Sequence, residues 1–347
     1  MPHHRPADAM TYPRFQGIRT FMRLPHLADP GRWPEADLAV AGVPFDSSGT
    51  YRVGARFGPS GIRQESMLLR PYHPELAIDV HEHLSMIDAG DLPVTPGYLP
   101  ESHAQIEEAA GHLLDAGPVP LFLGGDHSVS LPLLRAVAKR HGPVGLVHLD
   151  AHGDLWPGYF GGKDTHGTPF RRAVEEGLID PGRSVQVGLR GPVYGPEDVG
   201  LPAELGLLAI SMDEWHEDGS DRTAERIRRR VGATPERSKR QSGTRDDLAP
   251  LYLSFDIDVF DPVYAPGTGT PEVGGATGRQ ALRLLRRLAG LPFVGFDLVE
   301  VMPGYDSGAV TQLLAANVAY EMIALAAVAV RDRHAAGPEA LRHEAAS

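Results

Sequence analysis

The chain contains no cysteine at all. That excludes a disulfide framework and a thiolate-bound metal, and it fits a reducing compartment. Positive charge is scarce too: 33 Lys and Arg against 45 Asp and Glu give a formal net charge of −12. Nucleic acid and anionic membrane, which call for basic patches, are poor partners for such a surface. No apolar run is expected to approach the roughly 20 residues that cross a bilayer. The opening Met1-Pro2-His3-His4-Arg5-Pro6 lacks the apolar stretch of a signal peptide. A soluble, cytoplasmic protein is the expectation. Internal repeats and a linker between globular halves are also missing. With 347 residues, 42% of them hydrophobic, one large core is available, so the reading is one domain over 21–335, a loose polar arm at 1–20 and a tail at 336–347. The pair His3-His4 in the Pro-rich arm reads as solvated.

What the chain does have is three apolar runs that each end in Asp or His. Val144 to Leu149 leads into Asp150-Ala151-His152-Gly153-Asp154. Leu121-Phe122-Leu123 leads into Gly124-Gly125-Asp126-His127-Ser128, and Leu251 to Phe255 into Asp256-Ile257-Asp258. Extended backbone would project Asp150, His152 and Asp154 to one side; taken alone, that triplet also suits a hydrated surface loop. Three such ends are harder to attribute to chance, because ligands gather at the carboxyl ends of parallel strands. Clustered carboxylates push one another's pKa values up unless cations balance them. Two divalent ions would balance these four. Carboxylate oxygens with a minority of imidazole suit Mn²⁺ or a similar first-row ion, and metal pairs roughly 3.5–4 Å apart activate water for hydrolysis.

In order along the chain, Asp37 to Val43 is the first buried strand, followed by a Gly/Ser-rich loop and a helix capped by Ser60. A phosphate loop is discounted there for want of the P-loop Lys. An element begins near His81, and a Pro/Gly linker follows through Pro100. Helices are expected over Glu101 to Ala116, Leu131 to Arg140, Thr277 to Ala289 and, long and largely apolar, Gly308 to Arg331. A further helix carries Arg171, Arg172, Glu175 and Glu176. Strands are expected at Pro120 to Leu123, Ser184 to Val187, Leu207 to Ser211 and Phe293 to Leu298. Leu155 to Gly162 is an aromatic loop, a candidate substrate wall or an ordinary packed loop, and 234–247 is a solvated loop. Strands alternating with helices indicate βαβ units, so the fold class is α/β: a single-domain three-layer α/β/α sandwich with a mainly parallel sheet.

Five motifs in this order, Gly124 to Ser128, Asp150 to Asp154, His166-Gly167-Thr168, Ser254 to Asp258 and Asp297-Leu298-Val299-Glu300-Val301, resemble the ureohydrolases, the arginases, agmatinases and relatives that release urea from guanidino compounds. The resemblance covers roughly residues 35 to 330, and Phe260 to Glu272 is more similar to agmatinase and guanidinobutyrase than to arginase. It implies the arginase/deacetylase-like fold. It further implies that His127, Asp150, Asp154 and Asp256 hold one metal and Asp150, His152, Asp256 and Asp258 the other, with two Mn²⁺ per chain, or Ni²⁺ or Co²⁺. His166 resembles the family's proton shuttle, for which an imidazole pKa near 6.5 is suited. Glu300 resembles the carboxylate that accepts the planar guanidinium fork. Trimers or hexamers are common in the family.

Agmatine, giving putrescine and urea, is the expected substrate, a small guanidino cation. The alternatives are 4-guanidinobutyrate, another guanidino acid or free guanidine. A carboxylate end would need donors, for which Arg70 and Arg190 are candidates; Trp156 and Thr268 are further candidate substrate contacts. Gly153, Leu155, Met302, Gly304 and Ser307 depart from the usual agmatinase pattern without removing a ligand, so they bear on substrate identity. Readings from other classes are a single-zinc deacetylase-like amidohydrolase, which would not need six ligands, and a non-catalytic regulator, which would have lost some.

Overall fold

The structure is a computed structural model that describes residues 4–232 and 249–335. The loop expected at 234–247 and the tail at 336–347 lie outside the described residues. Among the described residues ten strands run in chain order: β1 Leu38–Gly42, β2 Tyr72–His73, β3 Ile78–Asp79, β4 Met86–Asp91, β5 Val119–Leu123, β6 Gly145–Leu149, β7 Val185–Leu189, β8 Leu208–Ser211, β9 Leu251–Asp256 and β10 Phe293–Val299. Apart from the β2–β3 ribbon they form one eight-stranded sheet in the order β4-β1-β5-β10-β9-β6-β7-β8, and every neighbouring pair in it is parallel. The helices are α1 Gly58–Ser66, α2 Val80–His83, α3 Leu99–Ala116, α4 Ser130–His141, α5 Pro169–Glu175, α6 Pro196–Glu204, α7 Met212–Arg230, α8 Gly278–Arg287 and α9 Val310–Ala335.

Alternation along the strands builds the layers. Leu38 and Val40 of β1, Leu121 and Leu123 of β5, and Val147 and Leu149 of β6 join one core with Ile62, Ala224, Leu284 and Val318 of α1, α7, α8 and α9. Ala39, Ala41, Phe122 and Leu146 point the other way, into a second core with Ile106, Leu133 and Phe170 of α3, α4 and α5. Buried on both faces, these strands read in sequence as continuous apolar runs. The expected three-layer α/β/α class is the one observed.

Four details differ from expectation. Helix α9 is long and apolar enough to cross a membrane by composition, with a mean hydropathy of 1.9, and 72% of that stretch is buried in the protein. The expected absence of any such run does not hold, because a helix wrapped on most sides by its own core needs no polar face. His4 is buried rather than solvated, its amide donating to Ser85 Oγ (3.2 Å) and its Nε2 3.2 Å from Glu35. Ser60 does not cap α1, which starts two residues earlier at Gly58 with Pro59 in its first turn; its hydroxyl bonds Phe57 O. Helices α6 and α7 have no counterpart among the expected elements, since the first contains Pro202 and the second is interrupted at Gly219 (φ +68).

Two histidines in this scaffold make it acid-sensitive. Burial pushes His81 and His103 down from 6.5 to about 4. Their native state favours the neutral ring, so stability is full above the unfolded value near 6.5, falls as pH drops through it and levels off below about 4. Each contributes a loss of about 3 kcal/mol. Denaturant titrations between pH 7 and 4 are expected to show a shallower decline in a His103→Leu variant than in the parent; equal slopes would remove His103 from this account.

Candidate active site

The central strands β5, β10, β9 and β6 deliver their carboxyl ends to one place. His127 follows β5, Asp150, His152 and Asp154 follow β6, Asp256 ends β9 with Asp258 two residues on, and Glu300 follows β10. His127 Nδ1 lies 3.1 Å from Asp150 Oδ2, 2.9 Å from Asp154 Oδ2 and 3.1 Å from Asp256 Oδ2. His152 Nδ1 lies 3.4 Å from Asp150 Oδ1 and 3.1 Å from Asp258 Oδ2. The six residues singled out in the sequence are therefore brought together, with Asp150 shared between both histidines. Asp154 (φ 51) and Glu300 (φ 62) occupy the left-handed backbone region, where a non-glycine residue is strained and persists because its surroundings fix it. Gly125 lets the cluster close: a Cβ there would sit 1.6 Å from Phe45 O.

The hydrogen-bond network shows what the cluster wants. Asp297 accepts from Tyr252 OH (2.8 Å), Ser130 Oγ (2.8 Å) and Ser254 Oγ (2.6 Å). Ser254 spends its only hydrogen there, so it accepts from His127 Nε2 at 2.9 Å. The neutral His127 ring then carries its hydrogen on Nε2, and the Nδ1 lone pair, buried and without a hydrogen-bond partner, faces three carboxylates. That geometry demands positive charge between the groups. Burial pushes the His127 ring down, yet the facing carboxylates of Asp150, Asp154 and Asp256 hold it well above its ordinary value. Burial, with Asp258 and Asp150 nearby, likewise drives Asp256 well above the carboxylate range, and burial and Asp150 raise Asp258 to about 6. Divalent cations answer the same demand, and the donors, oxygen with a minority of nitrogen, suit them.

Sequence reasoning missed His148. Gln186 Nε2 donates to its Nδ1 (2.9 Å), so its Nε2–H points at Asp150 Oδ2 (2.8 Å); the ring orients Asp150 rather than offering a lone pair. As an apolar-run residue on β6 it carried no signal. Ser254 and Asp297 lie inside the family motifs, yet spacing alone assigns them no role.

Beside the cluster, His166 Nδ1 and Glu300 Oε1 are 3.1 Å apart, and Oε1 also accepts the His127 backbone N–H at 2.9 Å. Glu300 Oε2 is buried and without a partner. A cavity of about 620 Å³ opens beside His166, its wall including His152, Asp154, Trp156, Tyr159 and Thr270 as well. Trp156 is thus on the wall, edge-on to Tyr159 and Tyr194. Thr268 is not on this wall; it is buried, with Oγ1 unpartnered, and Thr270 faces the cavity in its stead. Arg190 is not free to receive a carboxylate, because its guanidinium donates to the carbonyls of Gly188, Asp258, Val259, Phe260, Glu272 and Val273. Arg70 is exposed beyond the end of α1, away from the cavity wall.

Residues 36–324 match the Arginase family. The chain belongs to that family. It is 46% identical over 326 residues to guanidinopropionase of Pseudomonas aeruginosa, covering 94% of this chain and 96% of the relative, and 44% identical to guanidinobutyrase of the same organism, covering 94% and 98%. The solved structure of proclavaminate amidinohydrolase from Streptomyces clavuligerus superposes with a TM-score of 0.83 at 41% identity, over 92% of this chain and all of the other. As an Arginase-family ureohydrolase, the chain carries the His and Asp groups of a binuclear metal site on the family's fold.

Proposed function

We propose that this ureohydrolase splits agmatine into urea and putrescine. The observation that carries this reading is the cavity wall: apart from Asp154 and Asp256, which are given to the metals, it is lined by Glu272 and, among its described residues, by no Lys or Arg. A second positive charge on the substrate is welcome there, whereas a distal carboxylate would meet no cation. A second reading, a short guanidino acid, is supported by the names of the two Pseudomonas relatives and by the presence of Tyr159 and Tyr194, two phenol donors, in the cavity lining. The panel that decides offers agmatine, 4-guanidinobutyrate, 3-guanidinopropionate, arginine and guanidine to the Mn²⁺-loaded protein and measures urea. Fastest release from a guanidino acid would overturn the agmatine reading.

His127, Asp150, Asp154 and Asp256 would hold one ion and Asp150, His152, Asp256 and Asp258 the other, Mn²⁺ being the choice that suits the donors. Bound there, the metals supply an activated water at neutral pH. Glu300 accepts the guanidinium through its free Oε2, keeps the reacting carbon in register and excludes other poses. His166 holds a proton for the departing amine. We also assign the enzyme to the cytoplasm as a trimer or hexamer, which light scattering would test.

Asp297 is expected to matter through Ser254. Asp297→Ala removes the acceptor of Ser254 Oγ, leaves that hydroxyl to donate to His127 Nε2 and moves the ring hydrogen to Nδ1. Mn²⁺ affinity is expected to fall about 10–100-fold. Metal titration by calorimetry would check it, and an unchanged affinity would refute the relay.

A further inference from the structure

Both ring nitrogens of His166 are held in this structure. Nδ1 meets Glu300 Oε1. Nε2 meets Thr50 twice: the Thr50 backbone N–H donates to it at 3.1 Å, and Thr50 Oγ1 lies 2.6 Å away. Thr50 comes from the loop between β1 and α1, 116 residues from His166, and that loop is firmly built. Asp46 receives the Gly54 amide (2.8 Å) and Arg56 Nε (2.6 Å), Asp126 receives the Ser48 amide (2.9 Å), and Arg52 Nη1 donates to Thr268 O (3.3 Å). Thr50 also lines the cavity over the metal cluster.

We infer that Thr50 is a positioning residue for His166, fixing which ring nitrogen carries the proton and serving as the partner of Nε2 in both protonation states. A backbone N–H only donates, so in the neutral ring Nε2 is the acceptor and the hydrogen sits on Nδ1, directed at Glu300. When a proton is added at Nε2, the Thr50 amide is left facing a second N–H and can no longer bond it. The hydroxyl can reverse: it donates to the bare nitrogen and accepts from the protonated one. It is therefore the group at Nε2 that lets a buried ring gain and give up a proton without stranding a donor, which is costly in a site of this burial. The charged groups acting on the ring are Glu300, in direct contact with Nδ1, and Asp154 and Asp126, which act through charge alone; together they oppose burial. All three favour the protonated form, whereas burial and the Thr50 amide favour the neutral one.

This inference rests on the proton-holding role given to His166, and its test separates the two. Thr50→Val removes the hydroxyl and keeps the amide; Thr50→Ala does so without adding a second methyl, in case Val does not fit; Thr50→Ser keeps both contacts. The ring ¹⁵N resonances of His166, followed through a pH titration, are expected to show a midpoint about one unit lower in the Val and Ala variants, a tenfold change in proton affinity, and an unchanged midpoint in Ser. With substrate, kcat is expected to fall about tenfold or more in Val and Ala with KM within about twofold, and Ser to restore it. A midpoint that does not move in either Val or Ala overturns the inference. A midpoint that moves while kcat is unaffected leaves Thr50 as the partner of His166 and removes His166 from the reaction.

Discussion

Asp150→Asn is expected to abolish measurable urea release, lowering kcat/KM on the order of 10⁴-fold, the scale seen when a member of an interdependent catalytic set is removed. The reason is a mismatch of donors that no rotamer relieves. Asp150 Oδ1 accepts the His152 backbone N–H at 2.6 Å, and Oδ2 accepts from His148 Nε2 at 2.8 Å while lying 3.1 Å from His127. An amide nitrogen in either position points a hydrogen at a hydrogen. The substitution also removes one negative charge from the group that faces both histidines of the cluster, so metal content is expected to fall from two per chain to one or none. Elemental analysis of the purified variant beside a urea assay checks both. Retention of two ions with activity within tenfold of the parent would sink the proposal that Asp150 bridges them.

Glu300→Gln separates substrate binding from metal binding. Oε1 takes hydrogens from the His127 amide and from His166 Nδ1, so the Gln oxygen is forced to that side and its NH₂ takes the place of the unpartnered Oε2 beside Gly269. There it opposes the N–H groups of an arriving guanidinium. A loss on the order of 10²–10³-fold in kcat/KM is expected, since a charge-assisted fork becomes a donor-against-donor contact. Two metals per chain are expected to remain. Loss of metal in this variant would instead place Glu300 within the metal site, and unaltered kinetics would remove it from the substrate pocket.

The sequence by itself determined a good deal. Strands buried on both faces had to be written as apolar runs, so β5, β6, β9 and β10 were legible, and so were the Asp and His residues at their ends, because short-range spacing encodes which groups leave a strand together. Charge counting alone called for cations there, and the ordered motifs named the family. Tertiary structure decided the rest, since it depends on contacts between segments far apart in sequence. His148 looks like one more residue of a run until Gln186 on β7 fixes its ring. Asp297 matters because Ser254 on the adjacent strand reaches it. Arg190 resembled a substrate contact until the turn around Gly188 and the segment 258–273 folded onto its guanidinium. Thr50 faces His166 only because β1 sits beside β5 in the sheet, which carries the loop after it over the carboxyl ends of the central strands. Spacing shows what one strand presents; which partner it meets is set by strand order, and strand order is a property of the packed sheet.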